Sequence, residues 1–548
     1  MRSAAAFLLD PSYSFPTLKP ETAYMPKLKD VNTTSILAAI ELGCGCMHNM
    51  FDADDDDCPL FSSRIKPTTG LYWCTVHAEA HVSGRHLNAL LNAEDAAGIV
   101  LEEDAVDNNR RSAFLSQSGA VPLTLNRAQQ DGPPINFCPH NLREGIHALY
   151  ALVTYREDTK ASAHAASMIG AIRDYWTPTT SWDIERLEAL GLVHMPCEGE
   201  LNGVLRGLGP LVKYYRATGY GPALELALVM KNFLVEEIFF EDGSFDRERF
   251  GTNHIHSITC VTSSLAQLAD LLGDGALMSR VKAFYDNGLN LMRDAFGWSP
   301  ELVGQEASDH GECNNSGDIL EVALILGRWG YTDCYHDAER IIRCHLLPAQ
   351  VRDVSFIDEP DNPDGLDRLR DVADRHLGSF GFPAPYGHES VGKGRGNLSF
   401  NMDIVGGTVG SLCEAYREIV RSGPAGTKVN LLFDVETADV RVESPYTHDC
   451  LNIEMKRSGP LSVRIPPWVD RDVLAVQGAD VEPLETNGYL FFSDVAAGSV
   501  VQIRFPLAES EMTLSGDVHI QPIPVKMKGD AVVAMENFGA DLTFFDAI

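Results

Sequence analysis

The densest run of ionisable side chains lies between Gly304 and Asp318, where Glu306, Asp309, His310 and Glu312 fall within seven residues and Cys313 follows. Two carboxylates in one loop can divide acid and base work when their surroundings push the two pKa values apart. The same run also reads as a capped loop, with Asp318 as the N-cap of the next helix. A second cluster is Asn253-His254-Ile255-His256-Ser257. Histidines at i and i+2 cannot share one side of a helix, so a shared metal requires the pair to lie in a loop. Hydrogen bonding to substrate hydroxyls is the functional reading, and a helix-start cap the plain one. Cys197-Glu198-Gly199-Glu200-Leu201-Asn202-Gly203 pairs a carboxylate with an amide, which suits hydroxyls that each need a donor and an acceptor. Trp73 adds an aromatic platform ahead of His77, Glu79 and His81. Further polar groups come from Tyr386, His388 and Glu389, and from Asn401 and Asp403.

These clusters sit at the junctions of helical segments. From about residue 70 to 425, apolar residues recur at three- and four-residue steps. The pattern predicts helices near 82–99, 141–155, 161–175, 203–218, 222–239, 257–272, 279–296, 318–329, 337–347 and 405–420. Gly-containing breaks such as Thr218-Gly219-Tyr220 separate them. Helices joined by short turns without a fixed sequence period suggest a toroid of helical hairpins, with a central funnel lined by loops at one end. After residue 427, short alternating segments predict strands at 428–433, 439–443, 451–455, 461–465, 489–492 and 499–505. The expected fold is mainly α: an (α/α)6-barrel-type toroid over 71–425, then an all-β sandwich over 426–548. Residues 1–70 are expected to form an irregular segment packed on the barrel. Within them, the acidic run 52–57 lacks the Gly and closing Glu of a calcium loop and reads as solvated.

Several function classes lose their support. The chain has 548 residues and 44 Lys+Arg against 77 Asp+Glu, a formal net charge of −33, which disfavours phosphate backbones and anionic membranes. No apolar run reaches the roughly 18 residues that span a bilayer. No phosphate loop, dinucleotide fingerprint, Gly-x-Ser-x-Gly elbow or His-Glu-x-x-His helix appears. The twelve cysteines form no Cys-x-x-Cys pair, which fits reduced thiols and a cytoplasmic location.

Taken in order, the clusters resemble the glycoside hydrolase family 127 group, the β-L-arabinofuranosidase-like proteins. The stretch Gly199-Glu200-Leu201-Asn202-Gly203 with Tyr214 and Gly219 is similar to that family's Gly-Gly-Met-Asn-Glu helix and the hairpin after it. His254 and His256 resemble its His-Ala-Asn-Thr helix, and Glu312-Cys313 its Glu-Thr-Cys-Ala segment. Arg464-Ile465-Pro466-Pro467-Trp468 resembles its Arg-Ile-Pro-x-Trp strand. The resemblance implies an (α/α)6 barrel followed by β-sandwich domains. It also implies zinc held by one Glu and three Cys, with one member of a Cys-Cys pair as nucleophile.

Two departures bear on that chemistry. Glu312 and Cys313 are adjacent instead of separated by one residue, and Asn401-Met402-Asp403 stands where the Cys-Cys pair would precede the last barrel helix. Cys413, inside that helix, is expected to face the core. The resulting expectation is a glycosidase with a carboxylate mechanism acting on a terminal arabinofuranosyl or related sugar of an oligosaccharide. Glu306 or Glu312 is then the acid, and Asp403 or the other Glu the base or nucleophile. His254, His256, Glu200, Asn202, Trp73, His81, His310, Tyr386 and His388 would contact the substrate. No cofactor is expected; zinc, if retained, would use Glu312 and Cys313. No nucleic acid or membrane is expected as a partner, and a homodimer stays open. Two alternatives remain: a polysaccharide lyase or unsaturated-uronide hydrolase, using His254 or Tyr386 with Arg395, and a catalytically inactive glycan-binding barrel.

Overall fold

The computed structural model describes residues 27–304, 308–515 and 518–548. Glu306 therefore lies outside the described residues.

Twelve helices of nine residues or more are present among the described residues. In chain order they are α1 (Ile36–His48), α2 (Ser83–Ala97), α3 (Glu103–Ser116), α4 (Leu142–Arg156), α5 (Thr159–Tyr175) and α6 (Leu208–Thr218). The second half comprises α7 (Gly221–Glu237), α8 (Ile255–Leu272), α9 (Gly275–Asp286), α10 (Cys313–Arg328), α11 (Asp333–Ile341) and α12 (Met402–Ile419). The even-numbered helices pack in sequence, α2 on α4, α4 on α6, α6 on α8, α8 on α10, α10 on α12 and α12 back on α2, so that they close a ring. Each odd-numbered helix packs outside its even-numbered neighbour.

Burial separates the two sets. In α8 fourteen of eighteen residues are buried, from Ile255 to Ala269. The outer α7 buries only Ala223, Leu226, Ala227, Met230 and Leu234, the single stripe expected of a helix with one solvent face. Close approach within the ring needs missing side chains. A Cβ on Gly84 of α2 would stand 2.0 Å from the Glu144 carbonyl oxygen of α4, and one on Gly406 of α12 would stand 2.8 Å from the Arg85 backbone.

The helical prediction succeeds in type and shifts by a few residues at most ends, as expected where frayed turns and caps decide the boundary. Among the described residues before 70, one helix was not expected. Ile36–His48 is a capped helix, with Ser35 Oγ accepting from Ala38 N, and it packs on α12 and α2 as part of the outer layer. Its apolar residues are interrupted by glycines, ELGCGC, which lowers helix propensity. Packing overrides that: Ile36, Ala39, Ile40, Cys44 and Met47 are all buried. Helix α3 was likewise not predicted, its sequence being too polar to show a stripe.

Strand β1 (Ser62–Lys66) lies between β2 (Gly70–Tyr72) and β6 (Leu398–Asn401), all antiparallel. A second small sheet orders β3 (Leu125–Arg127), β4 (Pro134–Phe137) and β5 (Val193–His194), the last pair parallel. The C-terminal region is strand-rich. It holds two five-stranded sheets and a three-stranded sheet of Glu509–Leu514, Ile523–Lys528 and Ala531–Met535. Alternation is regular, as in Leu451–Met455, where Leu451, Ile453 and Met455 are buried.

The C-terminal region is tied to the ring through His519. Its Nε2 lies 3.1 Å from Asp294 Oδ2, its Nδ1 3.5 Å from Asp309 Oδ1, and its ring stacks on Trp298. Burial would lower this imidazole, but hydrogen bonds and charge from Asp294 and Asp309 raise it to about 9. Its folded value exceeds the unfolded one, so the stabilisation is complete below about pH 6.5 and disappears as pH rises through about 9. Its size is on the order of 3 kcal/mol. Urea midpoints between pH 6 and 10 should fall across that window in the wild type and stay flatter in His519→Gln. In the same assay Gly84→Ala should destabilise by several kcal/mol, because the clashing atom is backbone and cannot swing aside.

Candidate active site

One end of the ring holds a cavity of about 370 Å³. Its polar wall comes from the N-terminal ends of the six inner helices. His77 and His81 precede α2, His140 precedes α4, and Asn202 precedes α6. His254 and His256 start α8, Glu312 starts α10, and Asp403 lies in the first turn of α12. Local conformation explains their availability. The outer helices α1, α5 and α9 are capped by the side chains of Ser35, Asp158 and Asp274. The N-cap positions of α8, α10 and α12 are His254, Glu312 and Asn401, and none caps its own helix. Their side chains serve the cavity instead. Six inward-facing helix N-termini also favour negative charge there.

Beneath the cavity Glu144 is fully buried, with Arg85 Nη2 at 3.1 Å, Arg206 Nη2 at 3.2 Å and Arg143 Nη1 at 3.4 Å. Burial alone would raise this carboxyl, but His81, Arg206, Arg85 and Arg143 hold it well below the usual carboxylate range. The arginines also set the histidines. Burial and the charges of Arg206, Arg85 and Arg143 push His256 well below its ordinary value, and burial with Arg206 does the same to His140. Burial, with the neighbouring His81, lowers His77 to about 4. These three rings are therefore neutral near pH 7, each offering one donor and one acceptor nitrogen, as a sugar hydroxyl requires.

Asp403 is the ionised counterpart. Desolvation opposes its charge, yet the hydrogen bond and charge of His81, with Arg85 behind, lower its pKa. Oδ2 lies 3.1 Å from His81 Nε2, while Oδ1 makes no hydrogen bond to the protein. His81 Nδ1 lies 3.0 Å from Asn141 Oδ1, which orients the ring from behind. Glu312 is fixed from two sides, by His254 Nε2 at 3.2 Å and Asn314 Nδ2 at 3.1 Å.

The cavity thus brings together His81, Asn202, His254, His256, Glu312 and Asp403 from five separated segments. Other expected contacts lie elsewhere. Glu200 accepts from Trp176 Nε1 at 2.9 Å and from the Ser181 hydroxyl, and so pins a hairpin. Trp73 donates to Glu79 Oε1 at 3.1 Å, beneath Arg127. Tyr386 donates to Asp309 Oδ2 at 3.1 Å inside the core, and Arg395 is exposed and bonds the Gly539 carbonyl, so the Tyr–Arg pair of the lyase alternative is not assembled at the cavity. His388 is buried against Phe544 and Phe400, and burial lowers it to about 3. His310 stands behind the lining, 3.4 Å from Glu301 Oε2 and stacked on Phe382.

Sequence reasoning missed His140, Glu301, Cys138 and the Glu144–arginine floor. The available signal was Arg143-Glu144 inside an otherwise apolar segment, a charge pair where a buried stripe should run. Cys138 and Cys197 both line the cavity at the ends of paired strands, and the hydrogen bond between them, with burial, raises Cys138 while it lowers Cys197.

A zinc centre of one Glu and three Cys does not fit this site. Cys313 is fully buried, and desolvation raises its thiol. Among the described residues the one group of three or more metal-type donors within 4.8 Å is His254, His256 and Glu312, without sulfur.

The fold has counterparts among solved structures. A GH127 β-arabinofuranosidase superposes with a TM-score of 0.54 over 90% of this chain and 79% of that one, at 13% identity. The fold is that of the GH127 β-arabinofuranosidases. A GH127 β-L-arabinofuranosidase from Geobacillus stearothermophilus T6 gives 0.51 over 92% of this chain and 80% of its own, at 14% identity. A further glycoside hydrolase gives 0.52 over 88% and 84%, at 12% identity. No protein-family model matches the chain, and no curated protein matches it in sequence. The GH127-like frame therefore persists here with histidine and carboxylate lining at its inner helix ends.

Replacing Glu144 by Gln should be severe, because three buried guanidinium groups lose their common anion. The expected loss is about 3–5 kcal/mol, read from urea unfolding. A loss below about 1 kcal/mol, within the range of ordinary surface substitutions, would show that the arginines are held by other means.

Proposed function

We propose that this protein is a glycoside hydrolase that removes a terminal sugar, arabinofuranosyl or related, from an oligosaccharide. The observation that carries the reading is Asp403: a carboxylate kept ionised by His81 and Arg85, with Oδ2 oriented by His81, on the wall of a sugar-sized polar cavity. Such a group can attack an anomeric carbon or activate the water that does.

A second carboxyl must exchange a proton with the leaving oxygen. Glu301 lines the cavity and lies 3.4 Å from His310 Nε2, so the pair can hold and pass one proton. Glu312 is fixed by His254 and Asn314, which suits it to gripping substrate; it takes that role in preference to the acid role expected from sequence. His254 and His256 remain sugar-holding groups, joined by His77, His140 and Asn202. Phe61 and Phe382 supply apolar faces to the same cavity, against which a sugar ring can lie.

The test is hydrolysis of an aryl-glycoside panel that includes β-L-arabinofuranosides, with Asp403→Asn and Glu301→Gln alongside. On the best substrate each variant should lose about 10²–10⁴-fold in kcat with thermal unfolding preserved. Wild-type turnover with both variants undiminished would overturn the assignment. Because His81 and Arg85 lower Asp403 against the raising effect of burial, activity should fall on the acid side as Asp403 protonates. That acid limb of the kcat/KM profile should shift in His81→Gln.

A further inference from the structure

His254, His256 and Glu312 come from the first turns of two neighbouring inner helices. Their i, i+2 spacing does not keep the histidines apart, because His254 is the N-cap of α8, with φ −74° and ψ 106°, and lies outside the helical turn. Glu312, the N-cap of α10, is likewise extended, with φ −147° and ψ 123°. One donor atom from each of the three lies within 4.8 Å of the others. Glu312 Oε2 is 3.2 Å from His254 Nε2, and Glu312 Oε1 is 3.7 Å from His256 Nδ1. Donors about 2.0–2.1 Å from a tetrahedral ion stand roughly 3.3–3.4 Å from one another, so the His254–Glu312 pair already has that spacing, while His256, which faces the other Glu312 oxygen, has to draw in.

Hydrogen-bond accounting adds an independent reason. Ser257 Oγ donates to Asn202 Oδ1 at 2.6 Å, which uses its only proton. The contact between Ser257 Oγ and His254 Nδ1 at 3.1 Å therefore places a proton on Nδ1. In a neutral ring, His254 Nε2 then turns a lone pair toward the Glu312 carboxylate at 3.2 Å, acceptor against acceptor. Either a second ring proton or a cation between the two must resolve that contact. His256 Nε2 lies 3.4 Å from Asp318 Oδ2 and 3.1 Å from Arg85 Nη2. A cation at Nδ1 displaces the 3.4 Å contact from Arg206 Nη2 and leaves Nε2 to Asp318, the carboxylate–histidine–metal arrangement of many metal sites. Around the group, Glu301, Glu312, Asp403, Asp318 and Glu144 outnumber Arg85, Arg143 and Arg206.

We propose that His254, His256 and Glu312 bind one divalent transition-metal ion of the zinc type, with its remaining coordination position facing the cavity. Two imidazole nitrogens and one carboxylate favour such an ion over magnesium or calcium, which prefer all-oxygen shells. The open position takes water or a sugar hydroxyl. This site differs from a cysteine-based centre in its donors, and it stands whether or not the glycosidase reading does.

The test uses the full chain, stripped with a chelator and titrated with Zn²⁺ by calorimetry and with Co²⁺ by absorption. We expect one equivalent per chain, a rise in thermal midpoint with Zn²⁺, and visible Co²⁺ bands without thiolate charge transfer. His254→Gln and Glu312→Gln should each weaken Zn²⁺ binding by at least about tenfold, the smallest loss seen even for groups that only support metal ligands. A Cys138→Ser/Cys197→Ser double variant should bind as the wild type does. Substoichiometric binding, thiolate charge transfer with Co²⁺, or loss of binding in the cysteine variant would each overturn the proposal. The Co²⁺ spectrum needs no variant, so it decides the matter even if a substituted chain misfolds.

Discussion

Glu144 is the point on which this molecule turns. Arg85 of α2, Arg143 of α4 and Arg206 ahead of α6 share its carboxylate inside the ring, where each unpaired charge would cost several kcal/mol. That requirement fixes how three inner helices approach one another, and Gly84 permits the approach by leaving room for the Glu144 backbone. Because the cluster lies directly below the cavity, the group that organises the ring also sets its electrostatics. It keeps His256 and His140 neutral and, through Arg85, helps to keep Asp403 charged.

The second constraint is directional. All six inner helices begin at the same end, so twelve alternating helices bring the starts of distant segments to one rim. Residues separated by more than three hundred positions, such as His81 and Asp403, meet at hydrogen-bond distance there. The outer helices α1, α5 and α9 are capped by Ser35, Asp158 and Asp274, whereas the cap positions of α8, α10 and α12 are occupied by groups that line the cavity. Local helix stability is exchanged for function at the positions where loops meet the ring.

That division explains what could be read from the chain alone. Amphipathic stripes disclosed ten helices and alternation disclosed part of the C-terminal strands, because both are local periodicities; the last sheet, Glu509–Leu514, Ile523–Lys528 and Ala531–Met535, was not expected. Clusters before helices pointed to His254, His256, Glu312 and Asp403, which indeed share one cavity. Proximity in sequence was a poorer guide to direction. Trp73 and Glu200 stand beside true lining residues, yet both turn to structural partners. His140 and Glu301 carried no cluster of their own, and Arg206 sat in an ordinary-looking turn, so only the closed ring reveals them. The excess of 77 acids over 44 bases said nothing of this interior, where arginines are concentrated against a few carboxylates.

The central claim is that the rim of helix N-termini is a sugar site. The most direct measurement is a crystal structure of the protein soaked with L-arabinose or a furanose-like iminosugar. The account predicts a ring in the cavity, with hydroxyls bonded to His81, His254 or Asn202 and the anomeric carbon facing Asp403. Sugar bound only elsewhere on the surface, with the cavity unchanged at saturating concentration, would contradict it.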